Sequence, residues 1–88
     1  MIINIKDLKN KIIYRANYRG TKEMDKLLSS FAKIYINKLT DDELPLLSDL
    51  LNLDDENLYK LNQNLEMTIK IESNRVTELF RNYKNVYD

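Results

Sequence analysis

Any chemistry in this chain has to be done without a thiol or an imidazole, because its 88 residues include no cysteine and no histidine. That removes thiolate nucleophiles, disulfides, the commonest transition-metal ligand and the side chain that titrates near neutrality. Charged and aromatic side chains crowd around one break in the chain. Tyr14, Arg15, Tyr18, Arg19, Lys22, Glu23 and Asp25 surround Gly20, the only glycine. At a rigid backbone bend such side chains hold a fixed geometry toward a partner, whereas in mid-helix they are mostly solvated. No spacing singles out a pair of acids or a metal-ligand set, so the expectation is a recognition corner with no catalytic residue and no metal.

Gly20 is the residue here that takes positive φ without steric cost, so it is expected to close one helix while Thr21 caps the next. The plainer reading of the same residues is structural. Gly20 is then only a helix stop, Glu23 a first-turn acid near a helix dipole, and Arg19 its surface ion-pair partner, worth under about 1 kcal/mol. Tyr14 and Tyr18 are then half-buried packing residues with wet hydroxyls, the reading preferred for Tyr18.

The elements that position this corner follow from periodicity. Leu8, Ile12 and Ala16, widened by Ile13, repeat at helical spacing and predict a first helix from Asp7, its N-cap, to Arg19. Met24, Leu27, Leu28, Phe31, Ile34 and Tyr35 predict a second, running to about Asn37, with Phe31 assigned to packing. Thr40 and Glu43 read as a capping box that opens a third helix, with Pro45 tolerated near its start and Leu47, Leu50 and Leu51 buried. Asp54, Asp55 and Glu56 open a short fourth helix with Leu58 and Leu61 inward; EF-hand spacing is missing, so the acids are read as capping chemistry rather than a metal site. Residues 65 to 72 alternate apolar and polar, which is a strand pattern, but one strand needs a partner and only Met1 to Ile5 is similar in residue type. The helical alternative makes Leu65, Ile69, Val76, Leu79, Phe80 and Tyr83 one continuous stripe, frayed past Tyr83, and is the reading taken. The result is an all-α protein, a small five-helix bundle forming a single domain over residues 1–88.

Composition agrees with that class: 43% of residues are hydrophobic, 32% are charged, and there is one glycine and one proline. The zero net charge hides separated blocks. Residues 1–38 hold nine Lys/Arg against three Asp/Glu, and residues 39–66 hold one against eight, a distribution that can orient an encounter with a charged partner. The first residues lack a long apolar run and a cleavage site, so neither a signal peptide nor a membrane anchor is expected. Abundant Asn, Lys, Ile and Tyr suggests an AT-rich genome, and the expectation is a monomeric protein of the bacterial cytoplasm.

The run Lys11-Ile12-Ile13-Tyr14-Arg15-Ala16-Asn17-Tyr18-Arg19-Gly20-Thr21-Lys22-Glu23-Met24-Asp25, followed by Leu27-Leu28-Ser29-Ser30-Phe31-Ala32-Lys33, resembles the succinate dehydrogenase assembly factor (flavinylation factor) family. The shared signature is R-G-x-x-E, set between a basic-aliphatic-aromatic run and an L-L-x-x-F-A-type helix. The resemblance covers about the first two thirds of the chain. It implies a five-helix protein that promotes covalent attachment of FAD to the flavoprotein subunit of succinate dehydrogenase or fumarate reductase and has no cofactor of its own. On that resemblance Arg19, Gly20 and Glu23 map onto the signature at the partner interface, with Tyr14, Arg15 and Asp25 at less specific neighbouring positions. Many members carry further basic residues before the signature and Met after its glycine, where this chain has Asn17, Tyr18 and Thr21. The resemblance implies a flavin attached to a histidine, and since these 88 residues lack one, it also implies that the acceptor belongs to the partner.

Two other functions fit parts of the pattern. A nucleic-acid-binding module suits the basic, tyrosine-containing first half, but the acidic middle opposes it. An antitoxin-like or generic interaction protein suits the size and composition and is separated from an assembly factor only by its partner.

Overall fold

The computed structural model describes residues 4–84 and contains five α-helices: α1 (Ile5–Asn17), α2 (Lys22–Tyr35), α3 (Leu44–Leu50), α4 (Asp55–Asn62) and α5 (Arg75–Asn82). There is no strand among the described residues. The helices share one core. α1 contributes Ile12 and Ala16, α2 contributes Leu28, Phe31 and Ala32, and α3 contributes Leu44, Leu47 and Leu50; Leu58 and Leu61 of α4 and Val76 and Phe80 of α5 complete it. α1 packs on α2 and α3, while α5 packs on α3 and α4. The Phe31 ring bridges the two groups, edge-on to Phe80 at 5.1 Å and to Tyr83 at 5.3 Å.

Local signals set most helix starts. Asn4 caps α1 by accepting the Asp7 amide, so the cap lies three residues before the Asp7 expected for it, and α1 ends at Asn17 rather than Arg19. Asp7 instead sits in the first turn, where a carboxylate meets the positive end of the helix dipole. Thr21 caps α2 as expected, its hydroxyl accepting the Met24 amide at 3.2 Å. Ile34, assigned to the buried face of α2, is 41% exposed. Half of the expected capping box forms before α3. Glu43 accepts the Thr40 amide at 2.9 Å, but residues 41–43 make a turn first and the helix starts at Leu44.

The largest departure is residues 63–74, which are neither the helix taken nor the strand weighed against it. α4 stops because Asn64 is left-handed (φ 59°), with the Leu65 amide reaching back to the Lys60 carbonyl and the Asn64 amide to the Leu61 carbonyl. This is the Schellman arrangement, with asparagine in place of the usual glycine. The chain then runs irregularly, with a bend at residues 68–69, and the alternation does not map onto two faces: of its four apolar residues, Met67 and Ile71 pack on the core while Leu65 and Ile69 stay exposed. The buried side chain of Asn57 fastens this segment, accepting the Thr68 amide at 2.9 Å and donating to its hydroxyl oxygen. α5 starts only at a reciprocal capping box between Asn74 and Thr77. Residues 1–3 of the considered ribbon partner, and residues 85–88 beyond Tyr83, lie outside the described residues.

Candidate functional site

The corner between α1 and α2 is built by its own backbone amides meeting carboxylates. Two consecutive N–H groups point at acids from different helices: Arg19 donates to Asp25 Oδ1 of α2, and Gly20 donates to Asp55 Oδ2 of α4 at 3.1 Å. Gly20 does not adopt positive φ, which corrects the expectation of a left-handed stop. Its lack of a side chain serves another purpose. A Cβ at Gly20 would lie 2.9 Å from Asp55 Oδ2, closer than van der Waals contact permits, so the glycine makes room for the carboxylate.

The two arginines point inward. Arg15, in the last turn of α1, and Arg19, just beyond its end, both reach the end of α3, whose last carbonyls have no helical partners. Arg15 Nη1 donates to the Ser48 carbonyl at 3.3 Å and to its hydroxyl at 3.0 Å, while Nη2 donates to Asn52. Arg19 Nη1 and Nη2 donate to the Leu51 and Leu53 carbonyls at 2.9 and 2.7 Å, and its Nε pairs with Asp55 Oδ1 at 3.0 Å. The Arg19 side chain is only 12% exposed. Cations here also oppose the negative end of the α3 dipole.

The outward face carries different residues. Glu23 is exposed in the first turn of α2. Tyr14 and Tyr18 are 65% and 68% exposed, with ring centroids 4.7 Å apart. Tyr18 is therefore not the half-buried packing residue expected. Beside Tyr14 a shallow groove is lined by Leu8, Asn10, Lys11, Arg15 and Ser48. The six residues singled out from the sequence thus gather at one corner but divide by direction: Arg15, Arg19, Gly20 and Asp25 bond within the protein, while Tyr14 and Glu23 face out.

Sequence reasoning missed Asp55, Ser48, Asn52 and the Leu51 and Leu53 carbonyls. The acids 54–56, read together as capping chemistry, have three separate tasks. Asp54 accepts from Asn57 at 2.6 Å, Asp55 holds the corner, and Glu56 pairs with Lys60 one turn on at 2.9 Å. A signal was present in the two arginines four residues apart, whose forked donors require several acceptors if buried.

A protein family described as flavinator of succinate dehydrogenase matches residues 10–84, which include the whole corner. The chain belongs to this family. It is 38% identical over 58 residues to a succinate dehydrogenase assembly factor 2, mitochondrial, of Dictyostelium discoideum, a match covering 66% of this chain and 41% of that protein. It is 43% identical over 49 residues to the protein of the same name from Scheffersomyces stipitis, covering 56% of this chain and 33% of that one. The match thus spans less than half the length of either relative. No solved structure matches. Both relatives are eukaryotic and named mitochondrial, which overturns the expectation of a bacterial cytoplasmic protein.

Proposed function

We propose that this protein promotes covalent attachment of FAD to the flavoprotein subunit of succinate dehydrogenase by docking its α1–α2 corner on the immature subunit. The carrying observation is the family match over residues 10–84, which spans the corner and all five helices but the first residues of α1. The naming of both relatives as mitochondrial supports a setting in the mitochondrion. The corner contributes geometry rather than chemistry. With no histidine or cysteine in these 88 residues, the chain supplies neither a histidyl nor a cysteinyl flavin acceptor, and in this reading it acts as a non-catalytic partner with FAD attached to the subunit. Binding selects the arrangement of the subunit in which its own acceptor meets the flavin, which requires tighter binding to that arrangement than to others.

Of the outward residues, Glu23 offers a carboxylate and Tyr14 and Tyr18 an amphipathic aromatic pair, the residue types that anchor interfaces at small entropic cost. Arg15, Arg19, Gly20 and Asp25 keep those groups in place. The test is Glu23→Ala. Because Glu23 is exposed, its loss changes stability by no more than about 0.5 kcal/mol. Covalent flavin on the subunit, read by ultraviolet fluorescence in a denaturing gel, falls at equal amounts of folded protein. Undiminished fluorescence with the Ala variant would remove Glu23 from the interface, and full flavin loading without the protein at all would end the proposal.

A further inference from the structure

Asp55 stands out among the acids of the middle segment because both of its oxygens are engaged at the corner, 36 residues earlier in the chain. Oδ1 takes the Arg19 Nε and Oδ2 takes the Gly20 amide, so one carboxylate reads a side chain and the adjoining backbone together. Its neighbours cannot stand in, since Asp54 is turned to Asn57 and Glu56 to Lys60. The Asp55 side chain is 30% exposed, and it sits at the first residue of α4, so its backbone is fixed by a helix packed in the core. Gly20 precedes Thr21, the cap of α2, and Glu23 follows in the first turn. The direction in which α2 leaves the corner, and with it the position of Glu23, therefore depends on how the Arg19 and Gly20 peptides are held.

We propose that Asp55 is a positioning residue for the docking corner, and that position 20 is glycine because this carboxylate occupies the place of a side chain. The inference rests on the docking reading above. The missing Cβ and the carboxylate are two sides of one contact: a methyl group at residue 20 displaces Oδ2, the end of a side chain that is free to swing, so the fold survives while the clamp opens. Asp55 acts through Arg19 and Gly20 and need not touch the partner.

The experiment is a double-mutant cycle of Asp55→Ala and Gly20→Ala, with Glu56→Ala as control, all in the full chain and each checked for unchanged far-ultraviolet circular dichroism. Two quantities are read: hydrogen exchange of the residue 20 amide in the free protein, and affinity for the purified apo-flavoprotein subunit by calorimetry. The clamp predicts loss of amide protection in both Asp55→Ala and Gly20→Ala but not in Glu56→Ala. It also predicts that each of the two weakens binding by about tenfold while the double variant is no weaker than either, because one contact is broken in all three. Unchanged binding by Asp55→Ala, or effects that multiply in the double variant, overturns the positioning role while leaving the docking reading intact. Failure of the unaltered protein to bind the subunit overturns the docking reading itself, and the positioning role with it.

Discussion

Replacing Phe31 by alanine separates what holds the fold from what the corner does. The Phe31 ring is fully buried and lies 4.8 Å from Tyr35, 5.1 Å from Phe80 and 5.3 Å from Tyr83, so it joins α2 to α5 and to the residue that follows α5. Truncating such a ring costs about 3–5 kcal/mol, and each aromatic pair accounts for roughly 0.5–1.5 kcal/mol of it. An 88-residue chain has roughly 4–13 kcal/mol of total stability, so the loss is a large part of the whole. At about 4–8 °C per kcal/mol for a domain of this size, the melting temperature falls by at least about 12 °C. Urea unfolding followed by far-ultraviolet circular dichroism measures the change, and Phe31→Leu, which keeps a smaller apolar side chain, falls between parent and Ala variant. Covalent flavin on the partner then declines only in step with the unfolded fraction. A loss below about 1 kcal/mol would mean that the helices close over the gap without the ring, and the reasoning about a single shared core would fail.

Two further changes probe devices remote from the corner. Asn64→Ala forces a Cβ residue without asparagine's local hydrogen bonding into the left-handed region and lowers stability by about 1 kcal/mol, whereas Asn64→Gly is close to neutral; equal losses in denaturant unfolding would rule out the backbone explanation. Glu43 is held below the usual carboxylate range, first by the Arg75 guanidinium, whose Nη1 lies 2.6 and 2.7 Å from its two oxygens, and next by the Thr40 amide. With the folded group more acidic, the unfolded chain takes up the proton first as pH falls. The contribution is complete above the ordinary value of about 4.3 and is lost as pH drops through the lower folded value. Glu43→Gln therefore flattens the acid limb of the stability profile, and a variant whose melting temperature falls with acid as steeply as the parent's would contradict this.

What the sequence reveals and what it hides differ in range. The start of α2 was legible because its determinants are close together: Thr21 caps the Met24 amide, and Met24, Leu28 and Phe31 follow on one face. The same locality misled at residues 65–72. The apolar–polar alternation there corresponds to neither a strand nor a helix but to an irregular connection with a bend at residues 68–69, and what fastens it is the buried side chain of Asn57, eleven residues earlier than Thr68. The start of α5 was written locally too, in Asn74 and Thr77, yet the apolar residues before it invited a longer helix.

The corner shows why residue types alone mark a bend between two helices but not which way its side chains point. Arg19 and Glu23 look equivalent in sequence, two charged residues flanking a glycine, and both were expected to face a partner. A guanidinium has five donors in a fixed fork, so it is satisfied only where several acceptors converge. α3 creates that place by ending at Leu50, which leaves the Ser48, Leu51 and Leu53 carbonyls turned toward α1. Glu23, in the first turn of α2, faces away from that set and remains exposed. The inward arginines and the outward acid are thus consequences of where a short helix stops, more than thirty residues away, and the same event brings Asp55 against Gly20. The single glycine then reports a contact rather than a turn type: it marks where a distant side chain must approach the backbone, a demand that no local rule encodes.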